Sequence, residues 1–297
     1  LSRGTRAYLR GLYSVSEPGD FLAPLEVDSS QWSAEIGVED PLIRTRALSL
    51  WGFARASIDE GETDTAGGAV QISDDRLRVL SAGLRALARA RQYGYASGEF
   101  QVRKGLDILD ASRNTDPAVS RFDGEPDFTL VRGEIEGEIF APFGSELIEN
   151  RLSLFARATG QYSLDPLFGG EEFVLGGRDY GRAYDPGELS GDHGYGVSVE
   201  LRHSTTLAPF TFGEGLLDEP LDMETKLIVY GFADYGEIFN EGDGLPERAN
   251  IASYGGGARF LLSDTTQFNL EIAVPNRPLR RTLDDDPRIS FGLIHRF

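Results

Sequence analysis

The sequence predicts an all-β protein whose strands form a transmembrane antiparallel β-barrel. Apolar and polar residues alternate through about twelve segments, and most of these segments are long. Long and short connections between the segments tend to alternate. Successive side chains of a strand leave opposite faces of a sheet, so strict alternation indicates a strand with one apolar face. No window approaches the ~18 consecutive apolar residues that a membrane-spanning helix needs.

The alternation is clear in QFNLEIAV (267–274), where Leu270 and Ile272 share one face and Glu271 lies on the other. The same pattern predicts strands at 6–15, 31–39, 44–58, 76–91, 95–108, 127–140, 150–163, 195–204, 225–237, 252–262, 267–274 and 288–297. Many of them exceed the ~5–6 residues that are usual in soluble proteins. Their lengths match the ~9–11 residues that a tilted strand needs to cross a bilayer.

One segment, 76–91, is rich in Leu, Ala and Arg and also fits an amphipathic helix. We interpret it as a strand because the segments on either side are strands.

The connections have the rhythm of an outer-membrane barrel, which has long external loops and short periplasmic turns. The predicted long connections are 16–30, 59–75, 109–126, 164–194, 238–251 and 275–287, and the short ones are 40–43, 92–94, 142–149 and 263–266. The exception is the long acidic segment 205–224, which takes the place of a short turn. A soluble β-sandwich would also show alternation, but with shorter strands and no such asymmetry.

Composition argues against several classes of function. The chain has 29 basic and 48 acidic residues, a formal net charge of −19, and no cysteine. This charge disfavours nucleic acid and anionic lipid surfaces as partners. The lack of cysteine removes disulfides and thiolate sites.

Signatures of enzymes and metal sites are scarce. The three histidines have no paired ligand spacing, and no GxSxG motif is present. His203 and Ser204 are adjacent and therefore face opposite sides of a strand, which makes a catalytic dyad unfavourable. The acidic segments 59–64 and 284–286 lack a complete calcium-ligand spacing, and we interpret them as solvated loop charge. We predict no enzyme activity, no cofactor and no metal.

Two segments form a candidate pair. The glycine-rich stretch 173–192 carries Arg182, and the strand 225–237 carries Asp234 on its predicted inner face. A carboxylate on an inner wall needs water or a partner, and an arginine fork can supply bidentate charge-assisted bonds. The residues alone leave a second interpretation open, in which the two charges are hydrated separately.

The stretch FVLGGRDYGRAY, followed by YGFADYG, resembles the hemolysin-activator (ShlB/FhaC/HecB) transporters of two-partner secretion. Their superfamily includes the assembly factors BamA and TamA. The resemblance covers residues from about 30 to 297, and it implies that the sixth external loop folds into the barrel. The arginine of a V/I-R-G-F/Y loop tip then meets the aspartate of an [F/G]xDxG motif on the thirteenth strand.

Residue by residue, the resemblance assigns two motifs to this chain. The loop-six motif comprises Phe173, Gly176, Gly177, Arg182 and Tyr184, and the strand-13 motif comprises Phe232, Asp234 and Gly236. The chain departs from the tip pattern at Gly181 and Ala183. If the second of these positions needs a positive φ, alanine would be strained there.

The resemblance also implies the domain organisation. Residues 1–297 are expected to form one outer-membrane barrel domain, corresponding to strands 5–16 of a sixteen-stranded barrel. The first four strands and the POTRA domains are then expected to be absent from this fragment. Because lipid does not tolerate unpaired strand edges, a closed barrel of twelve strands is the alternative. Phe297 resembles the C-terminal assembly signal of bacterial outer-membrane barrels, although His295 replaces the usual apolar residue.

The function implied by the resemblance is protein translocation. A monomeric barrel in the bacterial outer membrane would export a partner polypeptide of the hemolysin or adhesin type. It would contact outer-membrane lipid and use the barrel-assembly machinery during biogenesis. The alternative is a BamA- or TamA-like factor that inserts other outer-membrane proteins. A passive porin would give no reason for the Arg182 and Asp234 motifs.

Overall fold

The computed structural model of the chain consists almost entirely of strands and connections. It describes residues 4–17, 24, 26–65, 68, 70–141, 150–207, 210–212, 221–223, 225–241, 247–262, 265–279 and 286–296. The strands are β1 (Arg6–Ser16), β2 (Asp28–Arg44), β3 (Leu48–Thr65), β4 (Val70–Arg89), β5 (Gly94–Gly105), β6 (Thr129–Ala141), β7 (Arg151–Ser163), β8 (Phe173–Leu175), β9 (Leu189–Gly191), β10 (His193–Thr206), β11 (Phe210–Phe212), β12 (Leu221–Met223), β13 (Lys226–Phe239), β14 (Arg248–Leu261), β15 (Thr266–Pro275) and β16 (Arg288–His295). Two short 3-10 turns lie at Arg91–Tyr93 and Gly169–Glu171.

The twelve long strands form one antiparallel sheet. Their order is β1-β2-β3-β4-β5-β6-β7-β10-β13-β14-β15-β16, so each strand pairs with the next long strand in the chain. The short strands form two separate hairpins, β8–β9 and β11–β12. Within the described residues, β1 and β16 are the two edges of the sheet, and the sheet is not closed. The predicted all-β fold with about twelve antiparallel strands is confirmed.

The structure corrects the ends of several predicted elements. The predicted turn 40–43 is wrong because these residues continue β2, with a register irregularity between Pro41 and Ile43. The predicted long loop 59–75 is also wrong in its extent, since β3 runs to Thr65 and β4 starts at Val70. Hydrogen bonds to the neighbouring strands satisfy the backbone N–H and C=O groups of these polar segments, although their composition predicts loops.

Two ambiguous segments are also resolved. The segment that also fitted a helix is strand through Arg89, because its backbone is paired with β3 and β5 on both sides. The acidic segment 59–64 lies in β3, where Asp59 accepts hydrogen bonds from Ser33 and Ser57. Among the residues that the structure describes, no group of three or more acidic or histidine side chains is arranged to hold a metal ion.

The two faces of the sheet have opposite character. On β10, Val197, Val199 and Leu201 are exposed, whereas Ser198 and Glu200 are 0% and 3% exposed. This inverts the usual order of a soluble protein, where apolar side chains are buried and charged ones are exposed. It is the pattern of a sheet whose outer face meets lipid. No helix of the described residues is long and apolar enough to span a bilayer.

The polar face, called the inner face below, is concave. Loop six, residues 164–192 between β7 and β10, lies against it. The guanidinium of Arg182 in this loop reaches Ser198 on β10 and also Glu271 on β15, although two other strands separate β10 from β15. One side chain bridges these strands because the sheet curls around the loop.

The outer face generates a prediction about stability. We expect Val199→Arg to destabilise the full-length protein in a bilayer by about 2–4 kcal/mol, because it places a charge near the middle of the lipid-facing strand. The measurement is the urea midpoint of protein folded into phospholipid vesicles. Val199→Leu, which keeps an apolar side chain on the same face, serves as the control. Equal midpoints for the two variants would contradict a lipid-facing position.

Candidate functional site

Loop six carries the predicted arginine on its tip, residues 176–188 between β8 and β9. Arg182 is 7% exposed. Its Nη1 atom lies 2.8 Å from Glu200 Oε1 and 3.0 Å from Glu271 Oε2. Its Nη2 atom donates a hydrogen bond of 2.8 Å to Ser198 Oγ. The tip is therefore fastened to the inner face through a buried charge.

Asp234 on β13 lies beside this guanidinium with a fully buried side chain. Arg182 Nε is 3.3 Å from Asp234 Oδ2, but its N–H is not directed at that oxygen. The same oxygen accepts hydrogen bonds from the backbone N–H of Arg182 and from Ser253 Oγ. The bidentate fork that the sequence suggested is not formed, since both Nη atoms of the guanidinium face other partners. The two motif residues are nevertheless adjacent.

The other two residues of the strand-13 motif also contact loop six. The ring of Phe232 lies under the guanidinium of Arg182, with 4.0 Å between Cζ and the ring centroid. This is a cation–π geometry. At Gly236, a Cβ would lie 2.6 Å from the Leu175 side chain, so only glycine leaves space for that residue. Alternation along β13 puts all three motif residues on the inner face.

The remaining loop-six residues shape and anchor the tip. Gly176 and Gly177 have φ values of 103° and 83°, and their N–H groups donate to the carbonyls of Tyr180 and Tyr184. Tyr184 is fully buried, and its hydroxyl lies 2.9 Å from the carbonyl oxygen of Arg277. Phe173 and Tyr184 belong to the buried apolar cluster beneath the loop.

The two departures from the family pattern have a simple structural account. Gly181 has a φ of 83°, a conformation that glycine adopts readily, whereas Ala183 does not have a positive φ. Ala183 is buried in the apolar cluster under the tip. The strain anticipated for alanine is therefore absent.

Sequence reasoning missed the carboxylates that surround Arg182. Glu200 pairs with Arg202 and Arg259 as well as with the loop arginine, and Glu271 accepts a hydrogen bond of 2.7 Å from Tyr230. Both glutamates stood on the polar side of alternating segments, which was a detectable signal. Nothing in the sequence could tell which strands would lie together around the tip.

A second buried ion pair holds the outer end of loop six. Asp192, which is fully buried, lies 2.6 Å from Arg121 Nη1 and accepts hydrogen bonds from the backbone of Leu167 and Glu241. Burial alone would lower the pKa of Arg121, but the Asp192 and Asp123 carboxylates outweigh it and raise that pKa. Burial raises the pKa of Glu172, which also contacts this arginine. The contact between Arg121 and Asp192 thus joins three of the long connections.

The end of the chain adds little to the site. Phe297, the predicted assembly signal, lies outside the described residues. His295 is exposed, and its Nδ1 lies 2.8 Å from Thr266 Oγ1.

Two solved structures show where this fold occurs. The chain is similar to CdiB from Escherichia coli, with a TM-score of 0.73 and 15% identity over 98% of this chain. It is also similar to CdiB from Acinetobacter baumannii, with a TM-score of 0.65 and 14% identity over 98% of this chain. In each case it spans 50% of the length of the solved chain. At these identities the likeness supports the predicted β-barrel fold.

The sequence comparisons concern the family. No curated protein matches the chain. The profile of the haemolysin secretion/activation protein ShlB/FhaC/HecB family matches residues 21–260, which is more than half of the chain. This family comprises transporters that act in secretion and not enzymes, in agreement with the absence of catalytic motifs from the sequence. With loop six packed against the strand-13 motif on the inner face of the sheet, the chain belongs to the ShlB/FhaC/HecB family of haemolysin secretion and activation proteins.

Proposed function

We propose that this chain forms the membrane barrel of a two-partner-secretion transporter that exports a partner polypeptide across the bacterial outer membrane. The observation that carries the proposal is the position of Arg182, which loop six places against Asp234 on the polar inner face. The family match supports export over the assembly-factor alternative, because it is a match to a secretion and activation family.

The two faces of the sheet suit this function. The exposed apolar residues of the outer face would contact outer-membrane lipid, and the polar inner face would hydrate a passing chain. Such a chain needs hydrogen-bonding surroundings for its backbone, which lipid cannot provide. Loop six occupies the inner face in this structure, so export requires that the loop shift or that space beside it widen.

The contacts of Arg182 form what we call the latch, a set of ion pairs that holds the loop tip on the inner face and that can be released. Three carboxylates surround its guanidinium, those of Glu200, Asp234 and Glu271. Removing one partner of a buried pair is costly, about 3–5 kcal/mol, because the other charge stays buried. In a hydrated lumen the whole loop tip can instead withdraw, and water then solvates both sets of charges. The latch is therefore sensitive to loss of a single partner and yet able to open when the whole tip withdraws.

The remaining parts of the proposal rest on the sequence resemblance. We propose that residues 1–297 belong to one barrel domain in the outer membrane, equivalent to strands 5–16 of a sixteen-stranded barrel. The protein acts as a monomer, takes a secreted polypeptide as its substrate, and is inserted by the barrel-assembly machinery. Phe297 would be the assembly signal that this machinery reads.

The latch predicts the effect of removing its carboxylate. We expect Asp234→Ala in the full-length transporter to lower secretion of the partner roughly fivefold or more, because the tip then leaves the closed position that gives the pore its correct shape, and a change of 1–2 kcal/mol shifts the equilibrium between placed and misplaced tip by ~5–30-fold. Asp234→Asn keeps the shape but removes the charge, and it should show the same direction. The measurement is the amount of partner in the medium, normalised to the transporter in the outer membrane.

The matched control for this experiment is Asp179→Ala. Asp179 lies in the same loop tip and pairs with Arg157, but its side chain is 72% exposed. It should change secretion little, because exposed pairs contribute ~0–1 kcal/mol. Undiminished secretion by the Asp234 variants would remove the latch from the proposal.

A disulfide can test whether the loop must move. A Cβ on Gly196 of β10 would lie 2.6 Å from Cγ of Tyr180 in the loop tip. The chain has no cysteine, so Tyr180→Cys with Gly196→Cys forms the only possible bridge within it. We expect oxidised protein to secrete less, and a reducing agent to restore secretion.

The control for this bridge uses the other face of the sheet. Gly160 on β7 lies opposite Tyr195, on the outer face, so Tyr180→Cys with Gly160→Cys should not cross-link. A shift in electrophoretic mobility without reductant measures the bridge. Full secretion by the cross-linked protein would mean that export does not require release of the tip.

A further inference from the structure

Loop six leaves two cavities on the β1–β7 side of the inner face. The first, of about 420 Å³, lies at the end of the sheet that carries the long connections. The second, of about 590 Å³, lies deeper, between β4–β7 and the loop tip. A third cavity of about 530 Å³ surrounds Arg182, Glu200 and Arg259. These three residues are paired with one another, so the third cavity borders the latch already described.

A clamp on the loop-six stem, residues 169–172, lines the first cavity on the side that faces the second. Glu171 in the stem is 3% exposed. Arg103 on β5 grips its carboxylate with two nitrogens, Nε lying 3.0 Å from Oε2 and Nη2 2.5 Å from Oε1. Arg132 on β6 lies 3.9 Å from the same carboxylate. Gln161 on β7 donates a hydrogen bond of 2.9 Å to the Glu171 carbonyl. Three adjacent strands thus hold the stem across the inner face.

The residues of β5 and β6 show where the clamp lies relative to the two cavities. Along β5, Glu99 lines the deeper cavity and Arg103 lines the outer one. Along β6, Glu134 lines the deeper cavity and Arg132 lines the outer one. Opening the clamp would therefore join the two spaces into one passage along the strands.

The walls of this passage suit a polypeptide backbone. The outer cavity is lined by short polar side chains, among them Ser14, Ser16, Ser29, Thr63 and Ser73, and by the charged side chains of Asp59, Asp75 and the clamp. A hydroxyl both donates and accepts hydrogen bonds, so such a wall can satisfy the N–H and C=O groups of any sequence. Bulky apolar pockets that would select particular side chains are not found among the residues lining this cavity.

We propose that the clamp of Arg103 and Arg132 on Glu171 is the barrier of this passage. This inference rests on the proposed export function and adds a second closure, on the opposite side of loop six from Arg182. Glu171 is then a positioning residue that holds the stem in the closed place. Without its charge, the two guanidinium groups lose their shared counter-ion and repel each other.

The test measures access to the deeper cavity from outside the cell. Thr159 lines that cavity, and Thr159→Cys in the full-length transporter is the only thiol in the described chain. A Gly/Ser peptide carrying a maleimide, added to intact cells, serves as a membrane-impermeant model of an extended polypeptide. We expect Glu171→Gln to accelerate labelling roughly tenfold, because the charge-assisted hydrogen bonds that hold the stem in place are lost.

Matched controls separate the clamp from general loosening. Glu136→Gln makes the same charge change in the wall of the deeper cavity, without touching the clamp, and should leave labelling unchanged. A thiol at Ser290, in the latch cavity, should label at the same rate with and without Glu171→Gln. Arg103→Gln removes the other side of the clamp and should reproduce the acceleration. Heat-modifiable mobility on a gel verifies that each variant is folded.

The outcomes distinguish this inference from the proposed function. Unchanged labelling of folded Glu171→Gln and Arg103→Gln variants would overturn the clamp, as would equal acceleration at Thr159 and Ser290. Because labelling needs no partner polypeptide, it reads the clamp even where export is absent. Failure of the wild-type transporter to release any partner would instead refute the proposed function.

Discussion

The carboxylate of Asp234 is the feature on which the rest of the site depends. Its side chain is completely shut off from water on the wall of a sheet whose other face is apolar. A buried carboxylate is unfavourable unless a cation and hydrogen-bond donors surround it. The strands that flank β13 supply Ser198 and Ser253 as polar neighbours, and among the residues that the structure describes the cation beside Asp234 is Arg182 of loop six. The position of the loop is therefore tied to the charge of the wall.

Charge also explains why the loop lies on the inner face along its whole length. Its tip is held by carboxylates of β10, β13 and β15, its stem by Arg103 and Arg132, and its outer end by Arg121. The partners of the tip are negatively charged, whereas the partners of the stem and of the outer end are positively charged. The loop provides an arginine where the wall is acidic and a glutamate where the wall is basic. This complementarity specifies one placement of the loop, since a shift along the strands would set like charges against each other.

The features that could be predicted from the sequence are those that depend on the local pattern of apolar and polar residues. Alternation located all twelve long strands, because the period of two is a property of the extended chain itself. It also predicted the inner face of β13, including Phe232 and Asp234. The ends of the strands were less accessible. The polar residues 59–65 read as loop by composition, yet pairing with β2 and β4 keeps them in a strand.

The site was predictable only where a motif marked it. The resemblance singled out Arg182 and Asp234, but Glu200, Glu271, Arg103 and Glu171 carry no motif and were recognised only in the structure. The bonds of Arg182 to Ser198 and to Glu271 join residues that lie 16 and 89 positions apart in the sequence. Contacts at such separations depend on the curvature of the sheet, which alternation does not reveal.

By itself, then, the sequence determined that the chain forms long antiparallel strands with one apolar and one polar face, since strand geometry converts a period of two directly into two faces. Only the tertiary structure decided which charges meet. A buried guanidinium takes whichever carboxylates the curved sheet brings within reach. That choice is set by strand order and by the path of loop six, and not by any neighbouring residue in the chain.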